Sequence, residues 1–257
     1  MGLDISDLSL KMMWLDLEKK RNKIIAFGEA SIPPGTIENG VLKKPEELAH
    51  IIKESSKKML GGKARNMHVV ASLPEQETFL RVVRLPDGGE QNIEKMVYSE
   101  IESTIPISTN DLYIDWQVVQ RSGFASPSSE SPHLGTEVLF VAIAKDIADP
   151  YIEAIKKSGL RIKALELESQ ALARSVIPNE YPATALIVDF GTTSIGFSIV
   201  ANGIIEFTST IRLGGRDLEK AIMNDLKVSG DEAKRLKIEV GMDRSKENGS
   251  VYEALKP

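Results

Sequence analysis

The sequence contains no cysteine, which excludes disulfides and thiolate metal sites and is compatible with a reducing compartment. Histidine is almost missing as well. His50, His68 and His133 are scattered without metal-ligand spacing, so no zinc centre is expected. No run approaches the ~18 apolar residues of a membrane span, and the chain opens on strand-like sequence rather than a charged segment followed by an apolar one. Neither a membrane helix nor a signal peptide is therefore expected. There is no basic excess: 32 Lys and Arg face 37 Asp and Glu, a net charge of −5, which argues against a nucleic-acid-binding surface. What is present, 42% apolar and 27% charged residues over 257 positions, describes a soluble globular protein with ample core for one large domain or two smaller ones, and with neither span nor signal peptide expected, a cytosolic one.

Against this plain background, two stretches whose aspartates, Asp4 and Asp189, stand 185 positions apart share one pattern. Leu3-Asp4-Ile5-Ser6-Asp7-Leu8-Ser9-Leu10-Lys11 runs from an apolar strand through an aspartate into small hydroxyl residues and out along a second strand. Ile187-Val188-Asp189-Phe190-Gly191-Thr192-Thr193-Ser194-Ile195-Gly196 repeats this with glycine in the turn. Such turns present rows of backbone N–H groups that bind phosphate. An aspartate at each strand end suits a hydrated Mg²⁺, which keeps several waters and needs few carboxylates.

The intervening pattern predicts mixed strands and helices. Strands are expected over 2–5, 8–17, 23–32 and 67–73, with a turn at 19–22 and a helix starting at Pro45 that carries Leu48, Ile51, Ile52 and Met59 and is closed by Gly61-Gly62. Residues 74–163 differ in texture. Strands are expected over 79–85, 113–120 and 138–144, a helix with the stripe Ile93, Met96, Val97, Ile101 and Ile105, a Ser/Pro/Gly-rich surface loop over 122–135, and a helix over 150–158. A strand (162–167) and a helix (169–176) follow. Three strands then come over 184–190, 194–201 and 204–212, the last pair joined by Asn202-Gly203, a strong hairpin signal. Gly214-Gly215 opens a helix over 216–226, and Ser229-Gly230-Asp231-Glu232 forms a capping box for another through Val240. Residues 242–257 are polar and carry no clear pattern.

This order is a β-β-β-α plan used twice, with a subdomain interrupting the first copy. In these features the chain resembles the FtsA/PilM family of the actin-like ATPase superfamily, and within it the PilM proteins of type IV pilus assembly. The two aspartate turns resemble that family's phosphate loops. Leu213-Gly214-Gly215-Arg216-Asp217-Leu218 resembles its following helix start, and Asp231-Glu232-Ala233-Lys234-Arg235-Leu236-Lys237 the helix after that. The resemblance implies an α/β, ribonuclease H-like fold of duplicated lobes. The first lobe, 1A, would comprise residues 1–73 with 164–182. An SHS2-like 1C subdomain would be inserted over 74–163. Residues 183–257 would form the second lobe, 2A and the start of 2B, with the C-terminal subdomain truncated. It implies ATP and Mg²⁺ as ligands. Asp4 and Asp189 would face the metal through water, and Ser9, Lys11, Gly191, Thr192, Thr193 and Ser194 the phosphates. Lys11 alone reads equally as a solvated strand lysine. The family usually has glycine where Ser6 stands, and Asp7 would place a carboxylate in a phosphate nest, opposing nucleotide.

Two functional classes follow. One is a scaffold at the cytoplasmic face of the inner membrane, whose groove near the 1A–1C boundary holds the short N-terminal cytoplasmic tail of a PilN-like membrane protein. The alternative is an ATPase or a sugar-kinase-type phosphotransferase of the same fold, for which Glu166 and Glu168 are the candidate water-positioning acids. A bare SHS2-like binding module is a third reading. Scaffold is favoured over enzyme. Trp14 and Trp116 are expected in the core.

Overall fold

In the computed structural model the described residues are 1–16, 23–62, 67–86, 90–119, 135–178 and 181–256. The expected turn at 19–22, and all but the last residue of the expected loop at 122–135, lie outside them. The chain divides into two compact units, Met1–Ile187 with Phe197–Ser209, and Val188–Gly196 with Thr210–Pro257.

The first unit opens with β1 (Gly2–Ile5), β2 (Ser9–Asp16) and β3 (Lys23–Ser31). A small hairpin follows, β4 (Ile37–Glu38) and β5 (Val41–Leu42), then helix α1 (Pro45–Lys57) and β6 (His68–Leu73). Next come β7 (Thr78–Leu85), α2 (Glu90–Thr104), β8 (Leu112–Val118), β9 (Thr136–Ala144), α3 (Lys145–Lys157), β10 (Arg161–Leu167) and α4 (Glu168–Val176).

Strand periodicity explains the main sheet, whose order is β10-β6-β1-β2-β3. In β2, Leu10 and Met12 point into the core while Lys11 and Met13 point out. β1 and β2 are antiparallel, with Asp4 opposite Lys11, and β6 runs parallel to both β1 and β10. The core joins Leu3, Leu10 and Val69 of the sheet to Leu48 and Ile52 of α1 and Tyr151 and Ile155 of α3. α1 stops at Lys57, short of the expected Gly61-Gly62 close, because Leu60 leaves the helix to exchange two backbone hydrogen bonds with Phe27 (3.0 and 2.8 Å). Helix α3 starts five residues before Pro150, so the proline lies inside it instead of opening it and gives up the one intrahelical bond its nitrogen would have made to the Asp146 carbonyl.

The three-stranded sheet β7-β9-β8 has a core of its own. Ile93, Val97, Ile101 and Ile105, spaced four apart on and just beyond α2, pack against Leu85, Leu112, Phe140 and Ala142. Of the expected insert, this core is built from β7, α2, β8 and β9, while Ile143 near the end of β9 joins the first core, as does α3, and β10 belongs to the main sheet.

The strands β11 (Ala185–Phe190), β12 (Ile195–Ala201) and β13 (Ile204–Ile211) form a sheet in that order, crossed by the division between units. Asn202 and Gly203 at φ 54° and 76° make the left-handed turn that joins β12 and β13. In the second unit, α5 (Gly215–Leu226), α6 (Gly230–Glu239) and α7 (Ser250–Leu255) share a core of Ile222, Ala233, Leu236 and Val251. Ser229 caps α6, its Oγ accepting the Glu232 amide at 3.3 Å. The stretch 242–257, without pattern in the sequence, therefore contains a helix docked through the fully buried Val251. Among the described residues, no helix is long and apolar enough to cross a membrane.

Candidate functional site

The first aspartate turn is tight. The Ser6 amide donates to the Ser9 carbonyl at 2.9 Å, and the Ser6 and Ser9 hydroxyls lie 2.9 Å apart. Asp4 Oδ1 accepts the Ser72 hydroxyl at 3.1 Å, while Oδ2 lies 3.6 Å from Lys11 Nζ. Asp4, Ser9 and Lys11 are thus brought to one strand end, but both Asp4 oxygens are engaged. The Asp4–Lys11 pair is 41% and 58% exposed, so it contributes at most about 1 kcal/mol and opens readily. Among the described residues, no group of three or more His, Asp or Glu is placed to hold a metal ion.

Asp7 does not sit in the nest as a bare carboxylate. Its two oxygens accept the backbone amides of Asn39 (3.1 Å) and Gly40 (3.0 Å), the turn between β4 and β5. Asn39 and Gly40 have φ of 51° and 79°, and a Cβ on Gly40 would come within 2.8 Å of Pro74 and of Gln76 Oε1, so this turn needs its glycine. The Gly40 carbonyl in turn accepts the hydroxyl of the buried Tyr151 at 2.8 Å. Burial, and then the Asp7 charge, push the Tyr151 phenol well above its ordinary range.

The second turn is held by the helix that follows it. Gly191 N–H donates to the Ser194 carbonyl at 2.9 Å. The carbonyls of Gly191 and Thr192 accept the amides of Gly215 and Arg216, each at 3.0 Å. A Cβ on Gly214 would lie 2.6 Å from the Thr192 backbone, so only glycine permits this approach. The Gly214 amide donates to Asp217 Oδ2 at 3.0 Å; that bond, with Lys220 at 3.0 Å, holds the Asp217 carboxyl below the usual carboxylate range. Gly191, Thr192, Thr193, Ser194 and Asp189 therefore share one loop braced on α5 in the second unit, whereas Asp4, Ser9 and Lys11 belong to the first.

The sequence pointed to no lining residues for a peptide groove, yet the first unit contains a cavity of about 450 Å³ between its two sheets. One wall comes from β8 and β9. Tyr113, Asp115 and Gln117 of β8 lie directly opposite Ile143, Val141 and Leu139 of β9, and all six line the cavity. Ala148 and Ile152 of α3, Leu73 of β6, and Leu165 to Leu167 of β10 supply the other wall. Tyr113 ties the walls together, donating to Asp149 of α3 at 2.8 Å, which pushes its phenol upward, while Lys145 Nζ lies 5.5 Å from its ring centre. Trp116, expected in the core, is partly buried against α2's core and also lines the cavity; Trp14 is partly buried on the first core. Glu166 faces the same cavity but pairs with Arg174 at 2.6 Å. Asp115 and Gln117 facing the apolar Val141 and Leu139 were the signal in the sequence: a strand pair with both faces apolar on β9 and only one on β8.

A duplicated β-sheet plan with aspartate turns and a small inserted sheet defines the class: this is an actin-like fold. The sequence profile of the type IV pilus assembly protein PilM family matches residues 2–252, and the chain belongs to that family. It is similar to the cell division protein FtsA of Bacillus subtilis (strain 168), 22% identical over 254 residues, covering 93% of this chain and 57% of FtsA. The chain thus spans little more than half the length of that relative. Among solved structures it resembles a PilM-PilN type IV pilus biogenesis complex, with TM-score 0.77 and 22% identity, covering all of this chain and 71% of that one. It also resembles the ethanolamine utilization protein EutJ from Carboxydothermus hydrogenoformans, with TM-score 0.55 and 13% identity, covering all of this chain and 65% of that one.

Proposed function

We propose that the cavity between the β8–β9 sheet and the α3–β10 wall holds the N-terminal cytoplasmic tail of a PilN-type inner-membrane protein. The chain then acts as a scaffold of type IV pilus assembly on the cytoplasmic face of that membrane. The observation that carries this reading is the apolar lining of Val141, Ile152, Leu165 and Leu73 at the junction of the insert with the first core, in a family whose structural relative was solved with PilN. The insert is best drawn from β7 to β9, with Ile143 at its end shared with the first core. Scaffold is favoured over hydrolase because Glu166, a candidate water-positioning acid, is held by Arg174. Fluorescence anisotropy with a synthetic tail peptide tests the reading: saturable binding, lost in Val141→Lys, supports it, and no binding at millimolar chain refutes it.

A second reading has its own support. The loop Gly191–Ser194, braced on α5, offers backbone and hydroxyl contacts to a phosphate group within the second unit, and a nucleotide phosphate such as that of Mg-ATP is the ligand it suits. In the first unit, Lys11 beside Asp4 offers a cation of its own to such a phosphate. Mg-ATP at a hundred times its dissociation constant would add about 2.7 kcal/mol of stability. A thermal melt unchanged by millimolar Mg-ATP ends this reading.

A further inference from the structure

We infer that the tail segment held in this cavity binds as an added β-strand along the outer edge of β8, an inference that rests on the docking reading above. Strand alternation carries the argument. Side chains of successive residues leave a strand on opposite faces, so a cavity touching one face of a sheet meets every second residue. β9 behaves so: only Leu139, Val141 and Ile143 line the cavity. β8 does not, because Tyr113, Ile114, Asp115, Trp116 and Gln117 all line it in unbroken succession. Ile114 and Trp116 belong to the opposite face, where they pack on the α2 core. The cavity therefore wraps around the strand's edge, where the backbone itself is exposed to it.

β8 pairs with β9 alone among the described strands, so alternate residues of β8 direct their N–H and C=O groups outward. Of these, the Trp116 amide donates to its neighbour Asp115 Oδ1 at 2.9 Å, a local bond that an added strand would replace. An occupant that satisfies a row of alternating donors and acceptors is another extended main chain, which is the chemistry of strand addition. Leu165, Glu166 and Leu167 also line the cavity in succession, and β10 is the terminal strand of the main sheet. The space thus lies between two sheet edges, β8 along one side and β10 along the other. Five residues of β8 offer about 17 Å of edge. One row of the guest's side chains meets Val141, Leu73 and Leu165; the other meets the flank of Ile114 and Trp116. Both rows meet apolar surface, so the guest is a run of consecutive aliphatic residues without internal proline, rather than an alternating polar and apolar segment.

The test uses the full chain and a synthetic peptide copied from the N-terminal tail of a PilN-type protein. Alternate backbone amides of the peptide are N-methylated in two registers, leaving every side chain in place, and affinities are read by fluorescence anisotropy. Strand addition predicts that one register, whose N–H groups face β8, loses at least tenfold in affinity, while the other changes less than threefold. Hydrogen exchange of the amides in β8 slows on binding the unmodified peptide. If the unmodified peptide binds but neither register weakens it, strand addition is overturned while the docking reading stands. If both registers weaken it equally with no added protection in β8, strand addition is likewise overturned. If the unmodified peptide does not bind at all, the docking reading falls and takes this inference with it.

Discussion

Replacing Tyr151 by phenylalanine deletes one hydroxyl from a side chain with 0% exposure. That hydroxyl donates to the Gly40 carbonyl at 2.8 Å, and the same turn's amides are held by Asp7. Removing the donor leaves a carbonyl without it inside the fold, which costs about 1–2 kcal/mol at neutral pH. For a chain of this size that lowers the melting temperature by roughly 3–6 °C. The distinguishing feature is the pH dependence. Burial, and secondarily Asp7, raise the Tyr151 phenol above its ordinary value. Below about pH 10 the phenol is protonated in folded and unfolded chains alike, and its contribution is complete. Above that, the unfolded chain releases the proton while the folded chain keeps it, so the folded state binds more protons and stability falls as pH rises, by up to about 1.4 kcal/mol per unit. Phenylalanine has no such slope. The wild-type advantage should therefore hold from pH 7 to 10 and vanish near pH 11. Urea denaturation of both proteins across this range measures it. A gap that stays constant to pH 11, or one below 0.3 kcal/mol at pH 7, roughly the scatter of such differences, would refute the reasoning.

Asp7→Asn keeps an acceptor but loses the charge on two backbone bonds, so it should cost about 1.5–2 kcal/mol in urea denaturation. It should also move the Tyr151 phenol back toward its ordinary value in an ultraviolet tyrosinate titration. Gly214→Ala places a methyl 2.6 Å from the Thr192 backbone and should destabilise the chain by about 2–3 kcal/mol; a melt within 1 °C of wild type, less than about 0.5 kcal/mol, would contradict the close approach. Lys11→Met breaks an exposed pair and should change stability by less than about 1 kcal/mol, while abolishing any melting shift produced by Mg-ATP. Val141→Lys should leave the melt nearly unchanged and weaken tail-peptide binding more than tenfold in anisotropy.

Local signals were legible wherever one residue type dictates one conformation. The Asn202-Gly203 hairpin, the Ser229 cap and the four-residue spacing of Ile93, Val97, Ile101 and Ile105 all stand where the sequence places them. Asn39-Gly40 spells the same turn as Asn202-Gly203, yet its flanking strands are two residues each, too short for periodicity to mark. Pro150 misplaced a helix start because the burial of Ala148, Tyr151, Ala154 and Ile155 holds α3 together through a proline that local preference would put at its first position. The partners of Asp7 and Tyr151 were not legible, since Asp7 meets an amide 33 positions away and Tyr151 a carbonyl 111 positions away. The cavity was legible only faintly for a related reason: its walls come from segments far apart in the chain, and the polar Asp115 and Gln117 opposite Val141 and Leu139 were the one trace of it in the patterning.

The inserted sheet hangs from its host by two adjacent threads. Thr78, where β7 begins, lies opposite Ile143, next to the end of β9, so the chain leaves and rejoins the first core at neighbouring points. A short turn joining residues near 77 and 144 would close the host at the loss of Ile143 from the first core, and the excised piece would keep its own core of Val97, Ile101 and Phe140. In evolutionary terms such a piece is gained, lost or exchanged by a single splice. The wall of the cavity built from β8 and β9 can then change while the wall built from α3 and β10 stays the same.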